Sequence, residues 1–182
     1  MPSEIPTWMR LANDKVTLGE INQMDGMWTG DMAINSRRGR YNLDHGIVEF
    51  IKGEDLTPSP SGSVFFAKVT PKQLGFWGSF EELLDDSFLG KFELKLCRHF
   101  DAFLLRYAFR EQHIGNTIII GTEPIERYAG SEYFSLFKLK CFGHSSEPVD
   151  LYLGWEDYNK SLHDSRPKPC DQLVFRIRGT PC

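Results

Sequence analysis

Residues 91–112 read KFELKLCRHFDAFLLRYAFREQ, the densest apolar run in the chain. Its first part alternates: Phe92, Leu94 and Leu96 fall on one side, and Lys91, Glu93, Lys95 and Cys97 on the other. A period of two is the pattern of a half-buried strand. From Phe100 onward two periods fit at once. Phe103, Leu105, Tyr107 and Phe109 alternate, while Phe100, Phe103, Leu104 and Tyr107 form a helical stripe. The Ala, Leu, Arg and Glu content favours helix, Asp101 is placed to start one, and Gly115 is placed to end it as a C′ glycine. Helix and strand both remain open for 101–112. In either case this run belongs to the core.

The flanking chain reads as short strands. Toward the N-terminus, Trp28, Met32 and Ile34 alternate after Gly26, residues 46–51 form a second candidate, and 63–70 a third that Pro71 closes. Between the last two, EDLTPSPSG (54–62) is a surface loop. Ser79 is a fitting N-cap, and Glu82 stands three residues later as in a capping box, so a helix starts there and Gly90 ends it. Toward the C-terminus the strand candidates are 117–120, 132–142, 149–155 and 173–177, and 156–170 is mostly loop. The expectation is one β-rich α+β domain. Its mainly antiparallel sheet has about eight or nine short strands, sandwich or barrel-like, with one or two helices. Residues 1–24 form an arm or capping segment, with a short helix at 18–24, and 25–182 form the globular domain.

At 182 residues the chain can bury roughly 70% of its unfolded surface without disulfides or a metal. Aromatic residues at 13% mark an ordered domain rather than a disordered segment. A net charge of −4 argues against nucleic-acid binding by the whole surface but leaves room for a local basic patch. MPSEIPTWMRLANDK has neither the basic nor the apolar region of a secretory signal, and no apolar run approaches the ~20 residues of a membrane span. Cys97, Cys141, Cys170 and Cys182 show no CxxC spacing, which is expected of reduced thiols in the cytoplasm. Cys141, in step with Tyr133, Phe137 and Leu139, reads as a small buried hydrophobe. No metal or cofactor is expected. His45, His113, His144 and His163 lack ligand spacing, and there is no GxGxxG, GxxxxGK[ST] or GxSxG.

The main candidate surface is basic. Lys91 and Lys95, Lys138 and Lys140, and Arg176 and Arg178 lie at alternate positions opposite the apolar side of three strand candidates. Like charges directly opposite one another destabilise a sheet, and a nucleic-acid backbone or acidic lipid headgroups would relieve them. Glu93 and Glu132 are placed to neutralise the same lysines across strands. Arg37, Arg38 and Arg40, on a polar connection, extend the patch.

Cys97, His99 and Asp101 offer thiol, imidazole and carboxylate on one face of a continued strand. Side chains two apart on a strand are ~7 Å apart at Cα, too far for easy nucleophile–base contact. Trp77-Gly78 and Gly154-Trp155 read as packing positions. Gly26-x-Trp28 ahead of a strand-rich chain resembles the signature of lipocalin-like (calycin) barrels. That resemblance implies a barrel enclosing a small apolar ligand. The helix-like segment after Ser79 and the lack of a terminal helix depart from that pattern.

The favoured expectation is a non-catalytic binding or assembly protein that meets an anionic partner through the basic sheet face and the 37–40 loop. Nucleic acid, an acidic membrane surface, a protein partner or a second copy of the chain all suit such a surface. The lipocalin-like barrel is the alternative, and an enzyme without a recognisable motif comes third.

Overall fold

The alternating segments assemble into one mixed sheet in the computed structural model, which describes residues 5–12, 40–43, 47, 63–109, 111–126, 130–143, 150–159 and 165–179. The strands are β1 (Met9–Ala12), β2 (Arg40–Leu43), β3 (Ser63–Val69), β4 (Leu94–Lys95), β5 (Thr117–Ile125), β6 (Tyr133–Phe142), β7 (Asp150–Asn159) and β8 (Gln172–Ile177). Three helices accompany them: α1 (Phe80–Leu83), α2 (Asp86–Gly90) and α3 (His99–Ala108). Seven strands follow one another in the order β1-β3-β8-β5-β6-β7-β2, and the two-residue β4 joins β8. This path runs open from β1 to β2 and does not close into a barrel. Among the described residues no helix is long and apolar enough to cross a membrane.

The expected antiparallel character holds for most pairs but not for β2 with β7 or β5 with β8, which are parallel. The second of these has a clear cause. β5, β6 and β7 form an antiparallel meander, and the chain then returns past β6 to the far side of β5. Such a return takes about a dozen residues and is usually helical. Here its described part, 165–171, contains no helix. It is tied down by backbone bonds from Phe80 N–H to Ser165 O (3.4 Å) and from Lys72 N–H to Pro169 O (3.3 Å).

Residues 99–108 are helical, which decides the ambiguous run. Asp101 contributes to the start as expected: its Oδ2 accepts from the Arg98 N–H at 2.7 Å. Gly115 does not end the helix, which stops at Ala108; the glycine serves a later turn at φ +83°. All six residues 101–106 are buried. A helix without a solvent side leaves no polar stripe, and that is why its period could not be told from a strand's.

Lys91–Cys97 was the cleaner strand pattern, yet only Leu94 and Lys95 are strand. Lys91 C-caps α2, and the N–H groups of Lys91, Phe92 and Glu93 donate to the carbonyls three residues back. Glu93 takes φ +56°, so this is a turn. The expected helix after Ser79 exists with its capping box: Ser79 N–H donates to Glu82 Oε2 at 2.8 Å, and Glu82 N–H to Ser79 Oγ at 3.3 Å. It breaks at Asp85, whose Oδ1 accepts from the N–H groups of Ser87 and Phe88 and starts α2.

After Ile120 and Val174 the chain segment 94–97 enters between β5 and β8. Leu94 and Lys95 pair with Ile177 and Arg176, and Cys97 N–H donates to Gly121 O at 2.8 Å. Gly121 is required here, because a Cβ on it would lie 2.1 Å from the Phe175 ring.

Both faces of the sheet are covered, but unequally. On one, Phe100, Phe103 and Leu104 of α3 pack against Ile118, Phe137, Leu153 and Val174. On the other, Phe80, Leu83 and Leu89 of α1 and α2 pack against Leu136, Leu173 and Phe175. The strand expected at 28–34, Gly26-x-Trp28, the 18–24 helix and the 54–62 loop lie outside the described residues. Of 46–51 only Ile47 is described, helical and buried.

Candidate anion-binding surface

Strand β6 carries the transition from core to surface. Phe134 and Leu136 are buried beneath α1, Lys138 and Lys140 are partly exposed, and Phe142 at the end is 51% exposed. These five alternate residues share the face that α1 and α2 only half cover. In register, Lys138 lies opposite Ile119 of β5 and Gly154 of β7, and Lys140 opposite Thr117 and Tyr152. The tight approach of the Tyr152 ring over Gly154 is possible because a glycine stands there, since a Cβ would meet the ring at 2.1 Å.

One acid serves this lysine pair. Lys138 Nζ is 2.8 Å from Glu156 Oε2. Lys140 makes no ion pair among the described residues. Burial, and next the neighbouring Lys138 ammonium, hold its pKa below the usual lysine value. Both effects disfavour its charged form.

The other expected cations go elsewhere. Arg176 points to the α3 side rather than to the face of Lys138, and it is buried. Its Nε donates to Asp101 Oδ2 and its Nη2 to Asp101 Oδ1, both at 2.5 Å. The reason is that β8 is central, covered on both faces, so its alternation separates two cores rather than core from water. Arg178 donates to Leu94 O at 2.7 Å and pairs with Asp86. Lys91 is exposed over the Phe88 ring at 5.6 Å, and Lys95 is exposed on β4. Arg37 and Arg38 lie outside the described residues. Arg40 opens β2 in register with Asp150 of β7, one strand from β6. The six strand cations therefore do not form one face; Lys138 and Lys140 are the part that remains together.

The 165–171 segment roofs a groove of about 520 Å³ beside Lys140. Thr117, Ile119 and Lys140 line it from the sheet, and Arg166, Lys168 and Asp171 from the roof. Its carboxylates already serve internal donors: Glu156 holds Lys138, Asp157 accepts from Ser135 Oγ at 2.5 Å, and Asp171 accepts from Lys168 N–H at 2.7 Å. Lys168, like Lys140, makes no ion pair among the described residues. Tyr158 also lines the groove and stacks on Phe80 with centroids 4.0 Å apart; burial raises its phenol pKa. Its hydroxyl is buried without a hydrogen-bond partner among the described residues. Sequence reading passed over Lys168 and Tyr158 because 156–170 carried no period and nothing local tied it to β6.

Cys97, His99 and Asp101 are not a working set. Cys97 Sγ faces Val174 O at 3.6 Å, and burial, then the Asp101 charge, push its thiol pKa well up. The His99 ring meets Glu123 O at 3.2 Å, and Asp101 is engaged with Arg176. Among the described residues no group of three or more His, Cys, Asp and Glu is arranged to hold a metal. Comparison with protein-family models, with curated proteins and with solved structures gives no match.

Proposed function

We propose that this chain is a non-catalytic binding protein that holds an anionic partner on the open half of its α1–α2 face. The observation that carries this reading is the lysine pair on β6: two cations on one sheet face share one acid, and the charge of Lys140 is disfavoured by burial and by Lys138. Like charges so placed are unfavourable until a counter-charge arrives. An anion docking there supplies what the fold does not. The position of Arg40 at the start of β2 supports the same half of the sheet, because it brings the end of the 37–40 connection to that edge.

The test is a salt titration of binding to polyanions, with heparin as a generic probe. Affinity is expected to fall as salt rises, and the Lys138→Glu/Lys140→Glu double variant is expected to lose binding while melting as a folded protein. Salt-independent binding, or full binding by that variant, removes the proposal.

A further inference from the structure

We infer that the chain also binds a small organic cation, an amine with an apolar body, in a pocket between α1 and the end of the sheet where β5 stops and β6 begins. This site lies on the helix-covered half of the α1–α2 face and does not depend on the lysine pair. The pocket has a volume of about 380 Å³, within the ~300–1,000 Å³ of small-molecule sites. Its apolar lining comes from Phe80, Leu84 and Phe134, all buried, and from the half-buried Leu96. Alternation on β6 puts Phe134 on the α1 face, where its ring and that of Phe80 both lie against Tyr158, with centroids 5.5 and 4.0 Å away. The chain breaks between α1 and α2, which sets the apolar Leu84 and the charged Asp85 side by side at the pocket.

The charges of this pocket are one-sided. Glu81, Asp85 and Glu126 line it, and among the described residues no lysine or arginine does. The groove beside Lys140 differs, because its three cations face three carboxylates. Asp85 Oδ1 accepts from the Ser87 hydroxyl and from the N–H groups of Phe88 (3.2 Å) and Ser87 (2.9 Å). These donors are neutral, so the carboxylate keeps its charge, and they hold its pKa below the usual aspartate value. Glu81 makes no ion pair or hydrogen bond among the described residues. Lys91, whose field reaches Asp85, sits over the Phe88 ring outside the pocket. An anion is repelled here, and a neutral apolar molecule leaves the carboxylates unused. A hard metal ion needs six or so oxygen ligands and gains nothing from an apolar lining. An organic ammonium uses both parts: its body covers Phe80, Leu84, Leu96 and Phe134, and its charge meets the acidic rim and the ring faces.

The experiment is an NMR titration of the full ¹⁵N-labelled chain with 2-phenylethylamine, and in parallel with 2-phenylethanol, 3-phenylpropanoate and calcium. The amine is expected to shift the amide signals of Phe80, Leu84 and Leu96, to bind about tenfold more tightly than the alcohol, and to leave the propanoate and calcium without effect there. The Glu81→Gln/Asp85→Asn double variant is expected to weaken the amine about tenfold and to leave the alcohol unchanged. Both side chains are exposed, and Asn caps a helix as well as Asp does, so this variant should keep the wild-type fold and melting temperature. Equal affinity for amine and alcohol, full amine binding by the variant, calcium shifting the same amides, or no shift with the amine would each overturn the inference.

Discussion

Arg176 on β8 and Lys140 on β6 begin from the same local pattern, a cation alternating with apolar residues on a strand, and they end in opposite circumstances. Arg176 is sealed beneath α3 with its Nε and Nη2 both donating to Asp101. Lys140 stands at the margin of a groove without a carboxylate of its own. The difference comes from what covers each strand. β8 has a packed layer on both faces, whereas beyond Leu136 the α1–α2 face of β6 loses its helical cover. A buried cation that loses its partner is strongly destabilising, whereas an exposed one is left available to a partner.

The largest effect should come from breaking the sealed pair. Asp101→Ala leaves the Arg176 guanidinium buried without its carboxylate and removes the acceptor that caps Arg98 N–H. A loss of about 3–5 kcal/mol is expected in urea denaturation. Asp101→Leu with Arg176→Met should recover most of it, because an apolar pair of similar volume needs no counter-charge. Equal loss in the double variant would show that the cap, not the ion pair, dominates.

Next come the two glycines whose added methyl would meet an aromatic ring at 2.1 Å. At Gly121 that ring is Phe175, fully buried in the closed half, and Gly121→Ala is expected to cost about 1–3 kcal/mol. At Gly154 the ring is Tyr152 on the open half, half-buried rather than sealed. Gly154→Ala should cost under about 1 kcal/mol. Equal losses in thermal or urea unfolding would mean that the open half is as tightly packed as the closed one.

The smallest expected change is at Lys140. Its folded pKa lies below that of the unfolded chain, so between the two values the unfolded state binds more protons. Stability therefore rises with pH as the folded lysine loses its proton, and this gain is complete near the ordinary lysine value. Lys140→Met should flatten that alkaline rise and change stability near neutral pH by no more than about 0.5 kcal/mol. Urea midpoints between pH 8 and 10.5 check it; an unaltered pH profile would mean that the depressed lysine is another one.

Much of the fold can be read from short-range pattern. The capping box at Ser79 and Glu82, the strands beginning at Ser63 and Tyr133, and the opposite faces of Leu139 and Lys140 follow from residue period and cap chemistry. These are local properties, set within a few residues by backbone geometry. The helix at 99–108 was not legible, because burial all round erases the stripe by which a helix is told from a strand. Nor was the crossover of 165–171, the parallel pairing of β5 with β8, or the sharing of one groove by Lys140 and Lys168. Alternation determines that a side chain faces away from its neighbours; which faces are then covered is decided by contacts between residues far apart in the chain. For this protein the sequence alone identified the cations, and only the tertiary structure decided that Arg176 belongs to the core while Lys138 and Lys140 remain at the surface.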